Sequence, residues 1–320
     1  MKKNIIKDTG VEVTELSFGT SSLGSMPDTY GYEVPEQRAQ ETLKRFFQGP
    51  VNLLDTSRNY AMGESEKRIG IAIKENGGWP ENFVLSTKID RNMDTLILDK
   101  KRTRESIEES LKALNVDSVD VLFLHDPEYV KDINDVTKKD GALDELFKIK
   151  EEGLAKAVGL AMGRIDIMFP ILRKWDFDVI INHNRYTLLN READEMYSYA
   201  HSKNISIFNA APYAGGVLAK GPSNFKKITY QDATEEKLAP AIEIEKVCKK
   251  YNVEMGAAAL QFSMKDKRIT STICGVTSVQ SIEKNLAWAK TDIPEEFWNE
   301  VLKLPYSTKD PESERTYTPG

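Results

Sequence analysis

Eight short runs rich in Val, Ile, Leu and Phe, separated by longer amphipathic stretches, constrain the architecture of this 320-residue chain more than any other feature. They fall at residues 15–19, 51–55, 83–88, 119–125, 155–159, 179–181, 206–209 and 271–275. The spacing is roughly 25–35 residues, apart from one longer gap before the last run. Several runs are apolar on both faces, as parallel strands must be when helices cover them. The stretches between predict helices over 37–47, 65–76, 103–114, 143–152, 165–174, 192–202, 239–251 and 279–289. Ser65 is placed to cap the second helix and Gly153 to close the fourth, while Pro170 sits inside the fifth.

Eight strand–helix pairs predict an α/β fold, a (β/α)8 TIM barrel forming one domain over residues 1–320. A doubly wound open sheet would carry a G-x-G-x-x-G turn after its first strand, yet the chain reads Gly19-Thr20-Ser21-Ser22-Leu23-Gly24 there. No P-loop pattern occurs either. Ahead of the barrel, residues 4–7 and 12–15 flank Asp8-Thr9-Gly10 and predict an N-terminal β-hairpin that closes the barrel floor. Three long connections stand out, at 126–141, at 212–238 and in the tail at 305–320; the first two follow strands four and seven, where loops are expected to wall the C-terminal face.

Three successive runs end on an ionisable residue: Asp55, Lys88 and His125. Tyr60 lies five residues beyond Asp55, in the loop. In a parallel barrel all strand carboxyl ends share one face, so these four side chains converge. An ammonium beside a phenol favours the phenolate, and Lys88 is therefore expected to lower the Tyr60 pKa from its usual value near 10. Asp55 compensates the Lys88 charge, and His125 orients or shares a proton near a carbonyl oxygen. No nucleophile toward an acyl centre and no glycosidase-like carboxylate pair is evident, so the set suits proton transfer beside a hydride step.

Composition excludes other classes. The net charge of −6, with Lys and Arg scattered among Asp and Glu, provides no basic field for a phosphate backbone, which argues against nucleic acid as a partner. Two cysteines, Cys248 and Cys274, are too few for a disulfide framework and imply reduced thiols in the cytoplasm. No run approaches a membrane span or a signal-peptide core. His183 ends a strand and His201 sits late in a helix without carboxylate partners, so no metal site is expected.

The run Asp55-Thr56-Ser57-Arg58-Asn59-Tyr60-Ala61-Met62-Gly63-Glu64-Ser65-Glu66-Lys67-Arg68-Ile69-Gly70 resembles the signature of the aldo-keto reductase superfamily, with Ala61 where that family has glycine. Ser86-Thr87-Lys88 and Phe123-Leu124-His125-Asp126-Pro127-Glu128 follow in the family's order, and the resemblance extends from the first strand to Asn285. Arg185-Tyr186-Thr187-Leu188-Leu189 and Asn209-Ala210-Ala211-Pro212-Tyr213 are similar to the aldose 1-dehydrogenase, L-fucose dehydrogenase and pyridoxal 4-dehydrogenase branch, which oxidises cyclic hemiacetals to lactones.

The resemblance implies NAD(P)H bound without a Rossmann domain, Tyr60 as general acid or base, Asp55 and Lys88 tuning it, and His125 orienting substrate. It also implies that Gly19, Thr20, Asp55, His183, Ala210, Pro212, Tyr213, Gly216 and Leu218 contact the cofactor. The adenosine-phosphate loop would be Gly275, Val276, Thr277, Ser278 and Ser281, leading to Asn285. Ala161-Met162 and His183 stand where the family often has Ser-Asn and Gln, and Ala210 where many members stack a tyrosine. Ser281 replaces the usual arginine, so a 2′-phosphate would rest on N–H groups, Thr277, Ser278 and Lys284; NADP is the expected cofactor, with NAD also used.

Among aromatic candidates for stacking a sugar (Tyr30, Tyr32, Tyr129, Tyr213 and Trp288), Tyr213 is the preferred one, the others packing or anchoring loops. Residues 255–260 read as a closely packed helix face. The expected partner is a small carbonyl or sugar substrate, and the expected state a monomer or weak homo-oligomer. A non-catalytic NADP(H)-binding barrel that regulates a partner or senses redox state is the competing reading; turnover of reduced nicotinamide with aldoses or aldehydes discriminates the two.

Overall fold

The computed structural model describes residues 1–315. Eight parallel strands close into a barrel: β1 (Leu16–Gly19), β2 (Leu53–Asp55), β3 (Val84–Ile89), β4 (Val119–His125), β5 (Ala155–Ala161), β6 (Val179–His183), β7 (Ser206–Ala210) and β8 (Ser271–Gly275). Each pairs with its chain neighbours, and β8 closes the ring by pairing with both β7 and β1. The predicted runs and the observed strands coincide within two residues at each end. The differences have one direction on one side of the barrel: β5, β6 and β7 run further than expected, through Ala161, His183 and Ala210.

Alternation along the strands divides the apolar side chains into two cores. Leu53, Val121, Phe123, Ala157, Val179, Ile181, Phe208 and Ile273 cluster together, and Ile6, Val11 and Val13 from the N-terminal hairpin join them. The second, larger cluster includes the intervening strand residues, such as Leu54, Leu122 and Leu124, and the apolar stripes of the helices. The hairpin pairs Lys3–Ile5 with Glu12–Thr14, slightly ahead of the predicted ranges. Asn52, just before β2, receives the Thr14 N–H at 2.8 Å and donates to the Glu12 carbonyl, which ties this floor to the barrel.

The predicted helices all form, and their ends need adjusting by at most four residues. The helix Glu64–Glu75 begins at Gly63, φ 92°, so Ser65 is not its cap. The Ser65 hydroxyl is instead buried, donating to the Thr20 carbonyl at 3.0 Å. Helix Lys100–Leu114 starts earlier than expected because Asp99 caps it, accepting the Arg102 N–H. Pro170 and Pro240 both lie inside helices, Ile165–Leu172 and Glu235–Lys250. Residues 255–260 do belong to a packed helix, Met255–Met264, in which a Cβ on Gly256 would meet the Trp288 ring at 2.2 Å. Helix Glu295–Val301 was not foreseen.

Candidate active site

The strand exits deliver Asp55, Lys88 and His125 to one cavity of about 310 Å³, and Tyr60 reaches in from the loop after β2. Lys88 is fully buried and donates to three acceptors: Asp55 Oδ2 at 2.6 Å, the Thr56 carbonyl at 2.6 Å and the Tyr60 hydroxyl at 3.1 Å. An ammonium has three protons, so all are committed. Ser86 Oγ occupies the other carboxylate oxygen of Asp55 at 2.9 Å. Because the Tyr60 oxygen accepts from Lys88, its own proton is left to point elsewhere.

The expected depression of the Tyr60 pKa is not what the site produces. Burial pushes the phenol well above its ordinary value, and the negative charge of Asp55 adds to the rise. Lys88 touches the phenol, but its charge is already matched by Asp55 at 2.6 Å. The neutral phenol is therefore the resting form, a proton donor. Tyr60 is followed by Ala61 and Met62 with φ of 51° and 54°, left-handed conformations that non-glycine residues adopt at a cost.

Behind His125 lies a group of residues that sequence reasoning missed. Its Nδ1 is 2.7 Å from Asp90 Oδ1 and 3.1 Å from Ser57 Oγ. Asp90 Oδ2 accepts from Ser57 Oγ at 2.6 Å and from the Asn59 N–H at 2.9 Å. Burial alone would depress the His125 pKa, but the Asp126 and Asp90 carboxylates outweigh it and the value is raised. Glu128 nearby is pushed up to about 8 by burial and by Asp126. A signal for Asp90 was present in the chain: it lies two residues beyond Lys88, the spacing that returns to the same side of a strand.

The tail enters the site from 125 and 127 positions beyond Arg185 and left no local signal. Arg185, fully buried after β6, donates to Asp310 Oδ1 and Glu312 Oε2, both at 2.6 Å. Glu312 also accepts from Arg315 at 2.7 Å, and Arg315 lines the cavity with Tyr30, Tyr32 and Tyr230. The Tyr30 ring is 5.9 Å from Tyr32 and 5.8 Å from Tyr230. The outer aromatic wall is therefore built by these three, Tyr230 not having been singled out. Tyr213 also lines the cavity, with its hydroxyl bonded to Asn285 and its ring edge-on to Trp288 at 5.6 Å.

The other predicted contacts separate into two groups. Gly19, His183, Ala210, Gly216, Gly275 and Thr277 border the cavity. Thr20, Pro212, Leu218 and Val276 are buried, Leu218 and Val276 within the hydrophobic core, and Thr20 Oγ1 donates to the Asp55 carbonyl at 3.0 Å. Ala161 and Met162 border the cavity beside His183. Burial holds His183 below the usual imidazole range although Glu312 opposes this, so it is neutral at pH 7.

At the end of the cavity nearest β8, Gly19, Ala210, Ala211, Gly215, Gly216 and Gly275 present backbone with little or no side chain. A Cβ added to Gly275 would meet only open space. Such a trough offers exposed backbone to an extended, flat-ended molecule. Beyond it, Ser281 Oγ accepts the N–H groups of Thr277 at 2.9 Å and Ser278 at 3.0 Å, and Ser278 caps the helix Val279–Lys290. Those N–H groups, expected to hold a phosphate, are satisfied within the chain. Lys284 lies 4.6 Å over the Trp288 ring.

A parallel barrel that collects a buried carboxylate–ammonium pair, a phenol and an imidazole beside such a trough defines a class of nicotinamide-dependent oxidoreductases. The chain belongs to the Aldo/keto reductase family, whose sequence profile matches residues 15–304, and is an NAD(P)-dependent oxidoreductase. It is 30% identical to an L-galactose dehydrogenase of Arabidopsis thaliana over 88% of this chain and 85% of that protein. It is 26% identical to a D-threo-aldose 1-dehydrogenase of Pseudomonas sp, over 92% of this chain and 94% of that protein. The holo form of an aldo-keto reductase from Bacillus halodurans superposes with a TM-score of 0.80 at 21% identity, covering 99% of this chain and all of that one, which shows the shared fold. Among the described residues, no helix is long and apolar enough to cross a membrane, and no group of three or more His, Cys, Asp or Glu could hold a metal ion.

Proposed function

We propose that the chain interconverts a sugar hemiacetal and its lactone, or reduces a small aldehyde or ketone, with Tyr60 exchanging the proton at the reacting oxygen. The observation that carries this reading is the commitment of all three Lys88 protons, one of them to the Tyr60 oxygen. That bond orients the phenol, so that its proton is available to a carbonyl oxygen in the cavity. When bound, the nicotinamide supplies or removes the hydride at the substrate carbon. Asp55 keeps Lys88 in place, and the resulting pair stabilises negative charge on the Tyr60 oxygen as its proton leaves. In the oxidative direction the steps reverse: Tyr60 first releases its proton to solvent, Lys88 holding the phenolate, and the phenolate then takes up the proton of the hemiacetal hydroxyl as the carbon–oxygen double bond forms. The aldose names of the two relatives support the sugar as substrate class, and Tyr30, Tyr32 and Tyr230 provide apolar faces for its ring.

The cofactor reading is NAD(H) as well as NADP(H). Ser281 occupies the two N–H groups that a 2′-phosphate would use, which leaves Arg38, beside Ser278 and Gln280, as a cation bordering that loop. His183, neutral and at the cavity edge, is suited to hold the nicotinamide amide. Replacing Tyr60→Phe removes the proton donor and leaves the cavity shape. Turnover of aldoses, followed by absorbance of the reduced nicotinamide, is expected to fall by about 10²–10⁴-fold. Cofactor affinity, read by fluorescence quenching, stays within about twofold of the parent. Undiminished turnover in that variant would reject the role of Tyr60.

A further inference from the structure

We propose that Asp90 is a positioning residue for the reaction, holding His125 with its proton on Nδ1 and so reserving Nε2 for the substrate oxygen. The inference rests on the reading of His125 as a group that faces substrate. Its basis is the hydrogen-bond inventory behind the ring. Asp90 is buried, and its Oδ2 accepts from the Ser57 hydroxyl at 2.6 Å and the Asn59 N–H at 2.9 Å, as a carboxylate does. The Asn59 N–H also approaches Ser57 Oγ at 3.2 Å. The single Ser57 proton is therefore spent on Asp90, and Ser57 can only accept from the imidazole. Both neighbours of Nδ1, Asp90 Oδ1 at 2.7 Å and Ser57 Oγ at 3.1 Å, are acceptors. Nδ1 must carry a proton.

With Nδ1 fixed, Nε2 has two states. In the imidazolium it donates; in the neutral ring it can only accept. The charged and titratable groups facing His125 are Asp90 and Lys88 from the end of β3, Tyr60 from the loop after β2, and Asp126 from its own loop, with Glu128 beyond. Carboxylates on two sides favour the imidazolium, which then shares a carbonyl oxygen with the Tyr60 hydroxyl, their rings 5.8 Å apart. The carbonyl so receives two donors, one proton being transferred by Tyr60 and the other retained by His125.

Asp90→Asn separates this role from simple packing. The Ser57 and Asn59 donors hold the amide oxygen at the Oδ2 position, which turns the amide nitrogen toward Nδ1. The ring then becomes neutral with its proton on Nε2, the opposite tautomer. Nitrogen-15 NMR of histidine-labelled full-length protein is expected to show Nδ1 protonated in the parent and Nε2 alone protonated in the variant at neutral pH. In parallel, kcat/KM for carbonyl reduction in the parent is expected to fall as the pH rises through the His125 titration, and this break should move down by about one pH unit or more in the variant. An unprotonated Nδ1 in the parent overturns the proposal without need of any variant. A break that stays in place belongs to another group, such as Glu128, and also overturns it. Neither result touches the role of Tyr60, whose failure would appear as retained turnover in Tyr60→Phe.

Discussion

At the scale of single residues, the site is governed by which partner each proton already has. Lys88 was expected to act on Tyr60 mainly through its charge, and it acts through a directed hydrogen bond, its charge being matched by Asp55. The four site residues were legible because each ends or follows an apolar run. The environment that sets their protonation was legible only in part: Asp90 stands two residues beyond Lys88, but its meeting with Ser57 and Asp126, which come from two other loops, has no local pattern. Ser281 shows the same logic at the cofactor end, where one hydroxyl satisfies two backbone donors. Ser281→Arg releases those donors and adds a guanidinium. Its affinity for NADPH relative to NADH, measured by fluorescence titration, is expected to rise about tenfold or more.

At the scale of elements, strand exits place the chemistry and helix contacts hold the exits in register. The helices Glu64–Glu75 and Lys100–Leu114 approach closely at Gly70, where a Cβ would lie 2.0 Å from the Ala113 carbonyl oxygen. Gly70→Ala forces these helices apart and should cost about 1–3 kcal/mol, read as a lower urea midpoint with little change in slope. Helix ends were the weakest part of the sequence reading, for a physical reason. A serine such as Ser65 looks like a cap when only its neighbours are known, yet the buried Thr20 carbonyl competes for its hydroxyl. Gly153 could be assigned correctly because a left-handed residue after a helix is a local matter; its φ is 81°.

At the scale of the whole molecule, the tail closes the mouth through charge. Arg185 is buried with Asp310 and Glu312 as partners, and Glu312 is held below the ordinary carboxylate range: burial would raise it, but His183, Arg185 and Arg315 prevail. A depressed carboxylate pKa contributes stability that is present above the unfolded value and lost as pH falls through the folded one. The tail should therefore stay docked at neutral pH and loosen only in acid, below the ordinary carboxylate range, seen as faster proteolysis after Pro305. Glu312→Gln leaves the Arg185 charge partly unmatched. It is expected to cost on the order of 2 kcal/mol in chemical denaturation and to raise KM for the substrate more than it lowers kcat.

The sequence by itself determined the barrel, its order of strands and the convergence of Asp55, Tyr60, Lys88 and His125, because apolar periodicity and strand polarity are short-range properties that a chain displays directly. The tertiary structure alone decided which protons those groups hold, which tyrosines wall the mouth and how the tail is anchored. Those features depend on burial and on pairs such as Arg185 and Glu312, separated by 127 positions. No local pattern records that distance, since the contact exists only after the ring of strands has closed.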